Sequence, residues 1–158
     1  MTVEKHRFTQ EDYDRLPEGT PYQLIGGEFI MTPSPNAYHQ KVSRRIFSEL
    51  LRFVEAGKLG EVFYAPLDVY LSRNEIYQPD IIYISHANKG IIRDKIHGAP
   101  DVVIEILSES SAYHDLKHKK DVYEAVGVAE YWIVDPMEKS VEVHENIGKL
   151  FQLVAKVK

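Results

Sequence analysis

The sequence predicts a mixed α/β (α+β) fold in which helices flank a mixed sheet. One run, at 101–107, is apolar from Val102 onward on both sides of the two-residue alternation except at Glu105, as in a strand covered on both faces. A helical period appears at 37–56 and again at 112–126. Because an apolar strand at 129–135 follows the second helix, we expect a parallel strand pair joined by a right-handed crossover.

The N-terminal part is predicted to contain a short helix and a hairpin. Thr9 can cap a helix over 10–16, whose first turn is acidic. The strands at 22–25 and 28–31 are joined by Gly26-Gly27, which adopts positive φ without penalty and therefore indicates a tight turn.

Three strand runs, at 61–71, 77–84 and 101–107, lie between the two longer helices. The first is either one bent strand or a hairpin around Pro66. Segment 85–100 is polar and basic, which is typical of a solvated loop with a helical turn. With an alternating hairpin near the C-terminus, the predicted order is an αβββαβ core with a β-hairpin before and after it.

Length and composition favour one domain over 1–158, since 158 residues of 44% hydrophobic content can fill a single core. The absence of cysteine excludes disulfides, thiolate nucleophiles and cysteine metal sites.

The chain has no run of about 18 apolar residues and no signal-peptide core, so we expect a cytoplasmic protein without a membrane partner. A net charge of -5 argues against a nonspecific nucleic-acid coat but permits a local basic groove. Serine-hydrolase, zincin and P-loop motifs do not occur in the sequence.

Three polar residues interrupt otherwise apolar patterns. Glu105 lies within the central strand, where an unpaired carboxylate would be costly. Asp80 opens the second strand run after Pro79, although a turn aspartate is common at such a position. Lys119 lies in the apolar face of the second helix, with Asp115 at its edge; it either snorkels to solvent or points to the layer that holds Glu105.

His39 begins the apolar stripe of the first long helix, so its ring should face the sheet. It is either a hydrogen-bonded core histidine or a residue that supports a site.

This order of elements, with Pro79-Asp80 and Glu105, resembles the restriction-endonuclease-like nucleases of the PD-(D/E)XK superfamily, and more closely their Uma-type family. The stretches that carry the resemblance are YQLIGGEFIMTPSPNAYH, QPDIIYI, GAPDVVIEILSESS, the spacing of Asp115, Lys119 and Tyr123, and GVAEYWIVDP.

The resemblance implies a DNA endonuclease in which Asp80, Glu105 and the Ile106 carbonyl bind Mg²⁺ or Mn²⁺. The superfamily lysine would stand at 107, where this chain has leucine, and Lys119 matches the migrated lysine of the Uma-type family. Because Gln23 replaces the usual glutamate, Glu28 is a candidate to supply the lost charge. His39, Gln23 and Asp115 are candidate supporting residues, and related folds suggest a homodimer.

Leu107 and Gln23 leave an alternative open: a catalytically silent module of the same fold that binds nucleic acid or protein. Metal binding at Asp80 and Glu105 distinguishes the two possibilities, since only the enzyme requires it.

Overall fold

A computed structural model describes residues 5–109 and 113–158, with the backbone alone for 113–115. The described part contains three α-helices, a 3-10 helix over His86–Ile91 and eleven strands. The helices are α1 (Gln10–Asp14), α2 (Ala37–Gly57) and α3 (Tyr113–Val126). The strands are β1 (Tyr22–Ile25), β2 (Glu28–Met31), β3 (Gly60–Tyr64), β4 (Val69–Ser72), β5 (Glu75–Tyr77), β6 (Ile81–Ser85), β7 (Ile96–His97), β8 (Val102–Ile106), β9 (Glu130–Asp135), β10 (Ser140–Asn146) and β11 (Phe151–Val157).

The strands form two mixed sheets. Sheet A has five strands in the order β2-β1-β5-β4-β7, and sheet B has six in the order β11-β10-β9-β8-β6-β3. β8 pairs in parallel with β9, as the crossover through α3 requires, and β6 pairs antiparallel with β8. The predicted α+β class is therefore confirmed.

Capping and amphipathic patterns explain the helices. Thr9 and Asp12 form a reciprocal capping box at α1, and the Asn36 side chain accepts a hydrogen bond from the His39 N–H at the start of α2. The apolar stripe of α2, which includes Val42, Ile46, Leu50 and Val54, packs on sheet B against a cluster that contains Val62, Ile81, Ile104 and Ile106.

Two of the three predicted strand runs are divided between the sheets. The run at 61–71 is neither one bent strand nor a hairpin: β3 belongs to sheet B and β4 to sheet A. Pro66 interrupts it because proline donates no hydrogen bond to a strand ladder. The run at 77–84 is divided in the same way, with Tyr77 at the end of β5 and β6 beginning after Pro79 and Asp80.

One apolar cluster connects the two sheets. It includes Tyr77 and Val69 from sheet A, Val103 and Tyr131 from sheet B, and Tyr123 from α3. All five are fully buried. Side chains from both sheets and from α3 therefore meet beneath the polar residues described next.

Candidate active site

Asp80 and Glu105 face each other across two strands. β6 and β8 pair with Ile81 opposite Ile104, so Asp80, immediately before β6, lies opposite Glu105. Directly opposed residues share one face of a sheet, with Cβ atoms about 5 Å apart. The Asp80 carboxylate accepts a hydrogen bond from the Ile106 N–H at 2.8 Å, which fixes its orientation. The strand register thus holds two carboxylates together.

His39 joins this pair from α2. Its Nε2 lies 3.1 Å from the Ile106 carbonyl oxygen and 3.6 Å from Asp80 Oδ1. The hydrogen bond to Asp80 raises the pKa of His39 above its ordinary value, although burial opposes this effect. The ring faces the sheet as expected, where it is hydrogen-bonded to the backbone and is also a neighbour of Asp80.

Lys119 reaches the same place from α3. It is buried, and its Nζ donates a hydrogen bond to Gln23 Oε1 at 3.0 Å and lies 3.6 Å from Glu105 Oε1. The ammonium also lies 5.1 Å from the centre of the Tyr77 ring, within range of a cation–π interaction. Lys119 therefore points inward to Glu105 and does not snorkel to solvent.

Burial dominates the electrostatics of Glu105. It raises the pKa of the carboxyl group, the positive charge of Lys119 lowers it, and the charge of Asp80 raises it again, so that the net direction is upward. The Tyr123 hydroxyl donates to Glu105 Oε1 at 2.7 Å. A carboxylate that is repelled by a facing carboxylate would gain from a cation placed between them.

Sequence reasoning missed part of the surroundings of this cluster. The Tyr123 hydroxyl could have been found, because Tyr123 lies one helical turn after Lys119. Glu75 is a second buried carboxylate, which accepts hydrogen bonds from the Gly26 N–H and the Tyr77 hydroxyl and lies 2.8 Å from Nε2 of His118. Its contacts depend on the pairing of β5 with β1 and on the packing of α3, which no local pattern reveals.

The other candidate residues lie elsewhere or outside the description. Glu28 is at the turn end of β2, where its carboxylate pairs with Lys5, so it is not brought to the cluster. The Asp115 side chain lies outside the described residues. Leu107 directly follows β8, and its N–H donates to the Val134 carbonyl. The structure thus brings together Asp80, Glu105, Lys119, Gln23 and His39.

The oxygen atoms of this cluster fit a hard divalent cation. Two facing carboxylates and the Ile106 carbonyl are all oxygen donors, and Mg²⁺ uses few protein ligands and retains water. Among the side chains of residues 5–109 and 116–158, no group of three histidine, aspartate or glutamate residues is arranged to hold a metal. A cation here would therefore need the backbone carbonyl and non-protein oxygens to complete its coordination.

A family model identifies the chain. The model described as "Uma2: Putative restriction endonuclease" matches residues 10–155, a span that contains every residue of the cluster. The chain belongs to the Uma2 family. Membership confirms the resemblance that the Pro79-Asp80 pair, the central strand and the EYWIVDP stretch indicated.

A solved structure shows the same fold. A protein from Anabaena variabilis, described as a "putative nuclease belonging to DUF820", superposes with a TM-score of 0.79 at 22% identity, over 92% of this Uma2 chain and 83% of the other. This likeness confirms the predicted restriction-endonuclease-like fold. No curated protein matches the chain. Among the described residues, no helix has the length and apolar content to cross a membrane.

Proposed function

We propose that the protein is a Mg²⁺-dependent endonuclease that hydrolyses phosphodiester bonds of DNA. Family membership supports a nuclease function in general, and one observation supports this specific mechanism: a buried lysine on a helix lies 3.6 Å from a carboxylate that faces a second carboxylate. Two acids and a lysine from three separate elements are the groups that metal-assisted phosphodiester hydrolysis uses.

Each residue has a role in this proposal. Asp80, Glu105 and the Ile106 carbonyl would hold the ion, which when bound supplies Lewis-acid stabilisation of phosphate oxygens and lowers the pKa of water. The Lys119 ammonium orients the attacking water and offsets the negative charge that develops on the phosphate. Gln23 and the Tyr77 ring keep Lys119 in place, and His39 keeps Asp80 in place. Water adds to phosphorus, one ester P–O bond breaks, and the leaving oxygen takes a proton.

Metal binding provides the first test because it requires no knowledge of the preferred DNA sequence. We expect calorimetric titration to show Mg²⁺ or Mn²⁺ binding to the wild type and a loss of binding in Asp80→Asn. The absence of binding to either protein at millimolar metal, with DNA present to complete the site, would contradict the proposal.

DNA cleavage provides the second test. We expect Glu105→Gln and Lys119→Gln each to reduce cleavage of plasmid DNA by about 100-fold or more, because each removes a group that acts on the transition state. Glu145→Gln, an exposed substitution on β10, is the matched control and should retain activity. Equal cleavage by all the variants would show a contaminating nuclease.

The alternative function is a silent module of the same fold that binds nucleic acid or protein. The observation that favours it is Gln23, which provides a neutral oxygen to Lys119 and to the Gln78 N–H at a position where the family resemblance implies a glutamate. Tight DNA binding without cleavage at any metal concentration would support this alternative. If Gln23→Glu then restored cleavage, the missing charge would be the cause of silence.

We also propose a homodimer in the cytoplasm. β11 is the outer strand of sheet B, and three of its apolar residues, Leu153, Val154 and Val157, are 54%, 51% and 62% exposed. Two copies of this edge can pair antiparallel about a two-fold axis, which makes the interface self-complementary. Light scattering should give the mass of a dimer for the wild type and of a monomer for Val154→Lys.

A further inference from the structure

The first half of α2 presents an unusual concentration of positive charge in a chain of net charge -5. Residues 37–48 contain no acidic residue, whereas Lys41, Arg44 and Arg45 all lie there and all are exposed. We call these three residues the basic ridge. Lys41 is three residues from Arg44 and four from Arg45, so it neighbours both on the helix surface, and like charges so placed destabilise a helix slightly. Because this concentration of positive charge lowers the stability of the helix, we expect it to have a function.

The basic ridge is not neutralised by ion pairs. Among the described residues, none of its three side chains lies within ion-pair distance of a carboxylate, whereas Arg52, further along the same helix, pairs with Glu49 at 3.2 Å. The ridge charges are therefore available to a ligand.

The position of the basic ridge relates it to the candidate active site. α2 begins beside the site, because His39 contacts both the Ile106 carbonyl and Asp80. Lys41 follows His39 by two residues, about 3 Å along the helix axis and about 200° around it, so the two side chains lie on opposite faces of α2. The apolar stripe holds the other face of α2 on sheet B, so the ridge faces away from the sheet.

The size of the basic ridge matches a nucleic-acid backbone. From Lys41 to Arg45 the helix rises about 6 Å. One DNA strand carries a phosphate charge about every 3.4 Å of helix axis, so two to three successive phosphates fit along the ridge. Phosphate oxygens are also the acceptors that arginine and lysine side chains bind most often on nucleic acid.

We propose that Lys41, Arg44 and Arg45 bind the sugar–phosphate backbone of one strand of the substrate DNA outside the segment that enters the candidate active site, on the face of α2 turned away from the sheet. This inference rests on the proposed function, since it assigns a surface to the same substrate. The ridge positions the strand through its phosphates and therefore carries no sequence preference.

Salt dependence of binding tests the proposal without cleavage. Binding of a labelled duplex of about 20 base pairs would be measured by fluorescence anisotropy between about 50 and 200 mM salt, in EDTA and again with Ca²⁺. Each phosphate contact contributes about 0.9 to the slope of log affinity against log salt. We expect the variant K41Q/R44Q/R45Q to bind more weakly and to have a slope lower by about 2 to 3.

The matched control removes three positive charges elsewhere. The variant K139Q/K149Q/K158Q loses the same charge as the ridge variant. Its three lysines are exposed and lie next to the ends of β10 and β11, at the edge of sheet B opposite to β3. This variant should keep the wild-type slope. Thermal denaturation of both variants confirms that each remains folded at the temperature of the binding measurement.

Three outcomes would overturn the proposal: wild-type binding by the ridge variant, equal weakening in both triple variants, or no duplex binding by the wild type in either buffer. The failure of the nuclease proposal is distinguishable from these. A protein that binds DNA through the basic ridge and cleaves none would retain this inference and lose only the catalytic one.

Discussion

The charge of Glu105 is costly to the folded protein, because burial and Asp80 raise the pKa of its carboxyl group more than Lys119 lowers it. A raised folded pKa contributes stability below the pKa of the unfolded chain, near 4.5, and that stability is lost as pH rises through the folded pKa. Metal-free wild-type protein should therefore lose stability on this account as pH rises above about 4.5.

Glu105→Gln should remove this pH dependence. We expect the variant to be more stable than the wild type by about 1 kcal/mol or more at neutral pH and equal to it at low pH. Lys119 then keeps the Gln23 oxygen and the Tyr77 ring as partners. Urea denaturation in EDTA at several pH values measures the difference, with Glu145→Gln as control. A variant less stable at neutral pH would mean that the ion pair with Lys119 outweighs the cost of burial.

Two buried tyrosines of the same cluster should differ in how loss of the hydroxyl changes the stability of the protein. The Tyr123 hydroxyl donates to Glu105, whereas the buried Tyr131 hydroxyl has no hydrogen-bond partner within the described chain. We expect Tyr123→Phe to cost about 1.5 to 3 kcal/mol, and Tyr131→Phe to be neutral or slightly stabilising. Denaturant midpoints of the pair provide the comparison. Equal losses would show that an ordered water satisfies Tyr131.

Residues that break a local pattern could be predicted from the sequence. Glu105 interrupts the apolar pattern of a strand, and Lys119 interrupts the apolar face of a helix. In the structure, Lys119 Nζ lies 3.6 Å from Glu105 Oε1. Gln23 and Tyr77 could not be placed beside Lys119 in this way, since their proximity depends on how sheet A packs against α3.

At the scale of elements, the Glu75 side chain connects α3 to sheet A through hydrogen bonds and an ion pair. Its carboxylate accepts from the Gly26 N–H of the β1–β2 turn and from the Tyr77 hydroxyl, and pairs with His118 of α3. Three groups, from the β1–β2 turn, β5 and α3, thus meet at one buried carboxylate.

Glu75→Ala should destabilise the protein by about 3 kcal/mol, because it leaves the Gly26 N–H and the Tyr77 hydroxyl without this acceptor. His118→Ala should cost about 1 kcal/mol or less, since the histidine side chain is 42% exposed. Chemical denaturation of both variants and of the double variant measures the coupling. A Glu75→Ala variant as stable as the wild type would show that α3 is held by its apolar face alone.

Element type was more predictable than element partnership. The helices over 10–16 and 37–56 and both hairpins were evident from periodicity, caps and glycine turns. The division of the run at 61–71 was not, because strand propensity gives no information about which of two sheets a strand joins.

At the scale of the whole molecule, we expect the two sheets to unfold together. Residues of both sheets share one apolar cluster, with Tyr123 of α3 between Tyr77 and Tyr131. The single tryptophan, Trp132, reports on sheet B, and far-UV circular dichroism reports on all elements. The two denaturation curves should coincide. Separate transitions would contradict the single domain predicted over 1–158.

The candidate active site is assembled from residues of both sheets and of the helix between them. Gln23 belongs to sheet A, Glu105 to sheet B, Asp80 immediately precedes a strand of sheet B, and Lys119 belongs to the helix that contacts both sheets. If one sheet slid past the other by the width of one side chain, the Lys119 ammonium would move away from either Gln23 or Glu105. The strand pairing within each sheet would remain unchanged. Such a molecule would look native by circular dichroism and melt at an ordinary temperature, yet have a broken site. Inactive variants with intact secondary structure should therefore map to the seam between the sheets.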